Sequence, residues 1–143
     1  MNWTIKTFDE LTGKEIYEIL KSRAEVFVKE QKISYVDPDG VDYKSWHVFA
    51  TENDKVCAYL RAFKDGDDTI KIGRVLTLIH GKGTGTQLMK YAISELKAKT
   101  NCKKFIMDAQ SHAISFYKRL GFIITSEEYL EEGIPHVDME LTL

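Results

Sequence analysis

Val75-Leu76-Thr77-Leu78-Ile79-His80-Gly81-Lys82-Gly83-Thr84-Gly85-Thr86-Gln87-Leu88 carries an apolar, β-branched strand through a glycine-rich turn directly into a helix. Glycine at 81, 83 and 85 lets backbone approach a ligand with no Cβ in the way. The N–H groups of Lys82 to Thr86, with the positive end of a helix dipole behind them, form a seat for a phosphate pair, so the implied ligand carries a pyrophosphate. A helix start that merely needs flexible residues accounts for the glycines equally well, because short glycine patterns are weak signals. Two nucleotide readings drop out. A Walker A loop sets Lys-Ser/Thr after its last glycine, whereas Lys82 lies before Gly83. A dinucleotide fold wants the turn after its first strand, with an acidic residue on a second parallel strand about 20 positions on.

Outward from this turn the chain alternates between the two periodicities. Thr69 to Ile79 reads as a strand, preceded by a hairpin of His47–Thr51 and Val56–Phe63 joined at Glu52-Asn53-Asp54-Lys55. Further back, Thr12-Gly13-Lys14-Glu15 is a capping box for a helix running to about Glu30, and Trp3 and Ile5 alternate as a short first strand would. Downstream, Leu88, Ala92 and Leu96 share one helix face, Lys104 to Ala109 is a short buried strand, and His112 to Leu120 is a helix stopped by Gly121. Two strands, Phe122–Tyr129 and His136–Leu143, flank the turn Glu131-Glu132-Gly133. The order is strand, helix, three strands, helix, strand, helix, two strands: an α/β (α+β) chain around a mixed central sheet.

Composition narrows the function. The 143 residues fit one domain, 1–143, with no repeat or low-complexity linker. No apolar run approaches the roughly 20 residues of a membrane span, and the start shows no export leader, so the expectation is a cytoplasmic protein without membrane contact. A formal net charge of -2 argues against nucleic acid as a partner. Cys57 and Cys102 fit no zinc or redox motif and are expected as free thiols. Asp37, Asp39 and Asp42 lack the ligand spacing of a calcium loop, and no metal is expected; the three acids form a turn, or an entrance that attracts a cationic amine.

The turn His80-Gly81-Lys82-Gly83-Thr84-Gly85 resembles the Arg/Gln-x-x-Gly-x-Gly/Ala cofactor signature of the GNAT N-acetyltransferase superfamily, with His80 departing at the first position. A second stretch agrees in order and spacing: Ala113-Ile114-Ser115-Phe116-Tyr117-Lys118-Arg119-Leu120-Gly121-Phe122 is similar to the family's Ala-x-x-x-Tyr-x-x-x-Gly-Phe helix, with Gln110 where many members have Asn. Val26–Gln31, Asp37–Asp42, Ile72–Val75 and Gly133–His136 resemble the ElaA-type branch.

This resemblance implies a single-domain fold of about seven strands and about four helices. It also implies direct acetyl transfer from acetyl-CoA to an amine. The cosubstrate would lie between the Ile70–Leu78 and Phe105–Ala109 strands, paired with backbone of Val75, Leu76 and Thr77 and held by His80, Lys82, Gly83, Thr84, Gly85, Thr86 and Gln110. Tyr117 is the implied general acid for the departing thiolate, although a core aromatic would fit the same short helix. Glu30, His112 and His136 are candidates for the base or for positioning the amine. A non-catalytic acyl-CoA-binding sensor on the same fold is the alternative. Apolar residues of the last strand suggest pairing into a homodimer.

Overall fold

Along Lys55–Lys64, Ala58, Leu60 and Ala62 face one way and Tyr59 and Arg61 the other, yet all five are buried. A strand covered on both faces belongs at the centre of a layered structure. The computed structural model, which describes residues 1–33 and 36–143, bears this out. Its elements are β1 (Asn2–Thr7), α1 (Gly13–Arg23), β2 (Trp46–Glu52), β3 (Lys55–Lys64), β4 (Thr69–Thr77), α2 (Thr84–Lys99), β5 (Lys104–Gln110), α3 (Ile114–Arg119), β6 (Ile123–Ile124), β7 (Tyr129–Glu131) and β8 (Ile134–Thr142). The sheet runs β1-β2-β3-β4-β5-β8-β6, with β7 also on β8, and every pairing is antiparallel except β4 with β5. None of the described helices is long and apolar enough to cross a membrane.

Both faces are filled by the expected helices. Leu88, Met89, Ala92 and Leu96 of α2 are fully buried with Leu60, Ile70, Ile72 and Phe105. On the other face Ile19, Val26 and Phe27 pack with Phe49, Tyr59 and Leu76. The capping box closes as read: Thr12 Oγ1 accepts from the Glu15 N–H at 3.1 Å, and the Thr12 N–H donates to Glu15 Oε1 at 2.8 Å. The first helix does reach Glu30, but its last seven residues, Ala24–Glu30, widen into π-helical turns directly after the fully buried Arg23. Such widening is frequent at functional sites.

Among the described residues eight strands and three α-helices form, where about seven and about four are expected. The extra strand comes from Phe122–Tyr129, which breaks into β6 and β7. At the break Ser126 Oγ accepts the Asp138 N–H at 2.8 Å, so a side chain takes a bond the ladder would otherwise make. The last strand is flanked on both sides. Both edges of β8 are occupied, by β5 on one side and by β6 and β7 on the other, and Val137 and Met139 are buried within the chain. Those two side chains belong to the chain's own core.

The feature that positions everything else lies between β4 and β5. They pair from Thr69 with Lys104 to Ile72 with Met107 and then part, although β4 continues to Thr77 and β5 to Gln110. On its other side β4 carries one extra residue: Arg61 pairs with Gly73 and Tyr59 with Leu76. The bulge holds Arg74 at φ +53°, a left-handed backbone that non-glycine residues rarely adopt.

Gly121 ends α3 at φ +102°, and a Cβ there would meet Leu141 Cδ1 at 3.1 Å. Gly121→Ala is expected to destabilise the fold by about 1–2 kcal/mol, read as a lower urea midpoint at unchanged slope.

Candidate active site

The glycine-rich turn divides its labour. Gly81 and Gly83 sit at φ +75° and +71° with nothing near a would-be Cβ, so they are needed for backbone conformation. Gly85 has an ordinary backbone, but a Cβ on it would lie 3.3 Å from Phe116 Cζ and 3.8 Å from Thr77 Cγ2. It lets the start of α2 approach α3 and β4, a packing role that differs from the ligand clearance read from the sequence. Gly83 caps α2 without any side-chain hydrogen bond, and the first turn holds no acidic residue. The first intrahelical bond from this cap is Gln87 N–H to Gly83 C=O at 3.1 Å, so the N–H groups of Thr84, Gly85 and Thr86 precede it. An uncapped helix start of this kind favours an anion. His80 and Lys82 are exposed beside it.

Where β4 and β5 part, a cavity of about 530 Å³ opens on the α1 face of the sheet. Val75 from β4, Gln110 from β5, Tyr117 from α3, and His112 and His136 all line it. Leu76 is buried in the α1-side core, and Thr77 lies beside Gly85. Tyr117 is 7% exposed, packed edge-on against Phe116 and Phe122 at 5.1 and 6.0 Å, and burial pushes its phenol up to about 12. At neutral pH it therefore carries its proton.

His136 is only 6% exposed. Its Nδ1–H donates to the Ile134 carbonyl at 2.7 Å, and its Nε2 lies 3.4 Å from Glu131 Oε2. Tyr129 stacks on the ring at 6.0 Å and donates its hydroxyl to Asp138 Oδ1 at 2.6 Å. Burial, followed by that carboxylate, raises the Tyr129 phenol. His112 is exposed, with Nε2 2.6 Å from Gln110 Oε1. Glu30 is exposed at the end of the π-helical turns and does not line the cavity.

Gln31, which sequence reasoning passed over, does line it. Its amide pairs with that of Gln110: Gln110 Nε2 donates to Gln31 Oε1 at 2.9 Å, and Gln31 Nε2 donates back at 3.4 Å. The only signal available was its place in the Val26–Gln31 stretch.

Asp37, Asp39 and Asp42 do not form a free acidic entrance, because three arginines hold them. Arg23, with no exposed surface, donates through Nε to Asp37 at 2.8 Å and through Nη1 to Asp42 at 2.7 Å. Arg61 forks onto Asp39 at 2.7 and 2.8 Å and reaches Asp42 at 3.2 Å. Arg74, on the bulge, reaches Asp37 at 3.0 Å and Asp39 at 3.4 Å. His47, held neutral by burial, accepts from the Tyr59 hydroxyl at Nδ1 (2.7 Å) and donates from Nε2 to the Asp42 carbonyl at 2.9 Å. The network fixes the 36–45 segment against the sheet and walls one side of the cavity with Asp39, Val41, Arg61 and Arg74. The hydrogen bond from Arg61 holds Asp39 at about 2, and burial, which alone would raise Asp42, is overcome by Arg23 and Arg61.

A forked mixed sheet, a glycine-rich helix start at the fork and a cavity across it define the acyl-CoA N-acyltransferase fold. Among solved structures, an acyl-CoA N-acyltransferase from Pseudomonas aeruginosa superposes with a TM-score of 0.92 at 36% identity, over 99% of this chain and 100% of the other. Escherichia coli ElaA superposes with the same score at 34% identity over 98% of each chain. A UPF0039 protein of Schizosaccharomyces pombe is 37% identical over 147 residues, spanning 100% of this chain and 98% of its own length. The model of the acetyltransferase (GNAT) domain matches residues 12–143. The chain belongs to the GNAT acetyltransferase family, in its ElaA-type branch.

Arg23→Met removes the fully buried cation that Asp37 and Asp42 share and is expected to cost about 3 kcal/mol in chemical denaturation. Asp39 has its folded pKa depressed to about 2. Its contribution is therefore complete above the unfolded value of about 3.9 and disappears as pH falls through about 2. Thermal midpoints measured across that window should fall less steeply in Asp39→Asn than in the parent.

Proposed function

We propose that residues 1–143 form one acetyltransferase domain that moves the acetyl group of acetyl-CoA directly to a primary amine within a ternary complex. The observation that carries this reading is the fork between β4 and β5, with an uncapped glycine-rich helix start beside it and the buried hydroxyl-bearing Tyr117 lining the cavity that opens there. The N–H groups from Lys82 to Thr86 suit the pyrophosphate, with His80 at the rim. The backbone of Val75 to Thr77, unpaired on its β5 side, suits the pantetheine arm as an added strand would. Gln110, at the end of β5, supports the same arm. Acetyl-CoA supplies an activated thioester there.

The chain's own contributions are orientation and proton transfer. An alkylamine of ordinary pKa pays about 4–5 kcal/mol to be neutral at pH 7, and alignment in the cavity contributes on the order of 7 kcal/mol at best. His136 is the base this arrangement favours. It is buried, lines the cavity and has Nδ1 fixed by a carbonyl. His112 is exposed and already engaged with Gln110, and Glu30 lies outside the cavity lining. Tyr117, neutral up to about 12, is suited to protonate the leaving thiolate. The unbridged Cys57 and Cys102 suit a reducing compartment such as the cytoplasm.

Calorimetric titration with acetyl-CoA, followed by an amine panel, tests the reading. The parent should bind, Gly83→Glu should not, and Tyr117→Phe should bind equally while losing roughly 10²–10⁴-fold in kcat. His136→Gln should also leave acetyl-CoA binding intact while lowering kcat by roughly 10²–10⁴-fold. A parent that binds acetyl-CoA but transfers to no amine would be a sensor on the same fold, and one that does not bind is no acetyltransferase.

A further inference from the structure

Among the carboxylates lining the cavity, Asp108 differs from the rest. Asp39 is clamped by the fork of Arg61, Glu131 faces His136, and Glu132 stands exposed on the β7–β8 turn. Asp108 directly follows Met107, the last β5 residue paired with β4, so it marks the point where the strands part. Its partner is an alkylammonium: Lys71, opposite Ile106 in the last paired stretch of β4, reaches diagonally with Nζ to Asp108 Oδ2 at 3.1 Å. Each side chain is 32% exposed, so the pair is open to solvent and held weakly, unlike the buried arginine forks. The immediate surroundings add negative charge. Asp138 lies directly opposite Asp108 in the β5–β8 register and accepts the neutral Tyr129 hydroxyl at 2.6 Å. Two carboxylates therefore stand directly opposite one another across β5 and β8, an arrangement that is unfavourable unless cations lie nearby.

We infer that Asp108 receives the ammonium group of the acceptor, and that Lys71 occupies this place until the acceptor displaces it. The inference rests on the amine-acceptor reading above and narrows it. The acceptor arrives as an alkylammonium ion, which excludes arylamines and alcohols, both uncharged at neutral pH. Lys71 is then an internal competitor, and the two members of the pair have opposite effects on acceptor binding.

That opposition is the test. The full chain is titrated with n-butylammonium chloride at constant ionic strength, followed by amide chemical shifts, with n-butanol as the uncharged control. Asp108→Asn should weaken n-butylammonium binding by about three- to tenfold, Asp108→Glu should restore it, and Lys71→Met should tighten it by a similar factor, with n-butanol unaffected throughout. A merely structural ion pair predicts that the two neutralising variants move together. Changes of the same sign, unchanged affinities or no binding to the parent would each overturn the assignment. Acetyl-CoA titration of the same samples separates the two levels. If the parent binds acetyl-CoA but its amine affinity ignores these charges, only Asp108 loses its role; if acetyl-CoA fails to bind, the acyl-transfer reading itself falls.

Discussion

Four residue pairs tie β4 to β5, and the remainder of the molecule is arranged around the fact that the fifth does not form. Strands that separate inside a sheet leave N–H and C=O groups without ladder partners, a cost that a chain sustains only where another ligand restores the bonds or water reaches them. Here the separation is imposed from the other side of β4. The extra residue at Arg74 turns the strand away from β5, and the left-handed backbone this requires is tied down by Asp37 and Asp39. The start of α2 and Tyr117 then meet the same opening from different directions.

The network of Arg23, Arg61 and Arg74 with Asp37, Asp39 and Asp42 is best understood as a positioning device. Buried ion pairs gain in attraction about what they lose in dehydration, so six charges are a poor way to add stability. They do fix geometry, because each arginine fork is satisfied in one arrangement. Arg61 Nε is the one buried side-chain nitrogen or oxygen left without a partner among the described residues. The cavity wall is therefore held by several charged forks on the side of Asp39 and Arg61, whereas the Lys71–Asp108 side rests on one solvent-exposed pair.

What the sequence disclosed follows from the range of each interaction. The Thr12 capping box, the Gly121 helix stop and the glycine turn before α2 are contained within a few residues, and each formed where the residues placed it. The motif spacing singles out Tyr117, and the fold sets that residue on the cavity wall. The bulge at Arg74 was not, since nothing in Ile72-Gly73-Arg74-Val75 demands an extra residue; the demand comes from aspartates 35 and 37 positions away. For the same reason Asp37, Asp39 and Asp42 read as a turn or as an entrance for a cation, not as partners of arginines. Their arginine partners lie 14 to 37 residues distant, and charge sign alone does not reveal pairing. Gln31 and Gln110 meet across 79 residues. Gly85 was seen correctly as a place for no side chain, but the occupant of the space, Phe116, comes from a later helix.

The interruption at Ser126 has a bearing on how the chain behaves in a crowded solution. It leaves the outer flank of β8 covered by pieces of two and three residues, β6 and β7, separated by a stretch whose bonds go partly to a hydroxyl. Ile123, Ile124 and Leu130 are exposed on these pieces, a sticky composition for a sheet margin. A stray strand arriving there meets no continuous row of donors and acceptors to zip along, only short lengths out of line with each other. The margin thus resists fibre-like growth through its broken outline, and the same outline lets those apolar side chains stay at the surface.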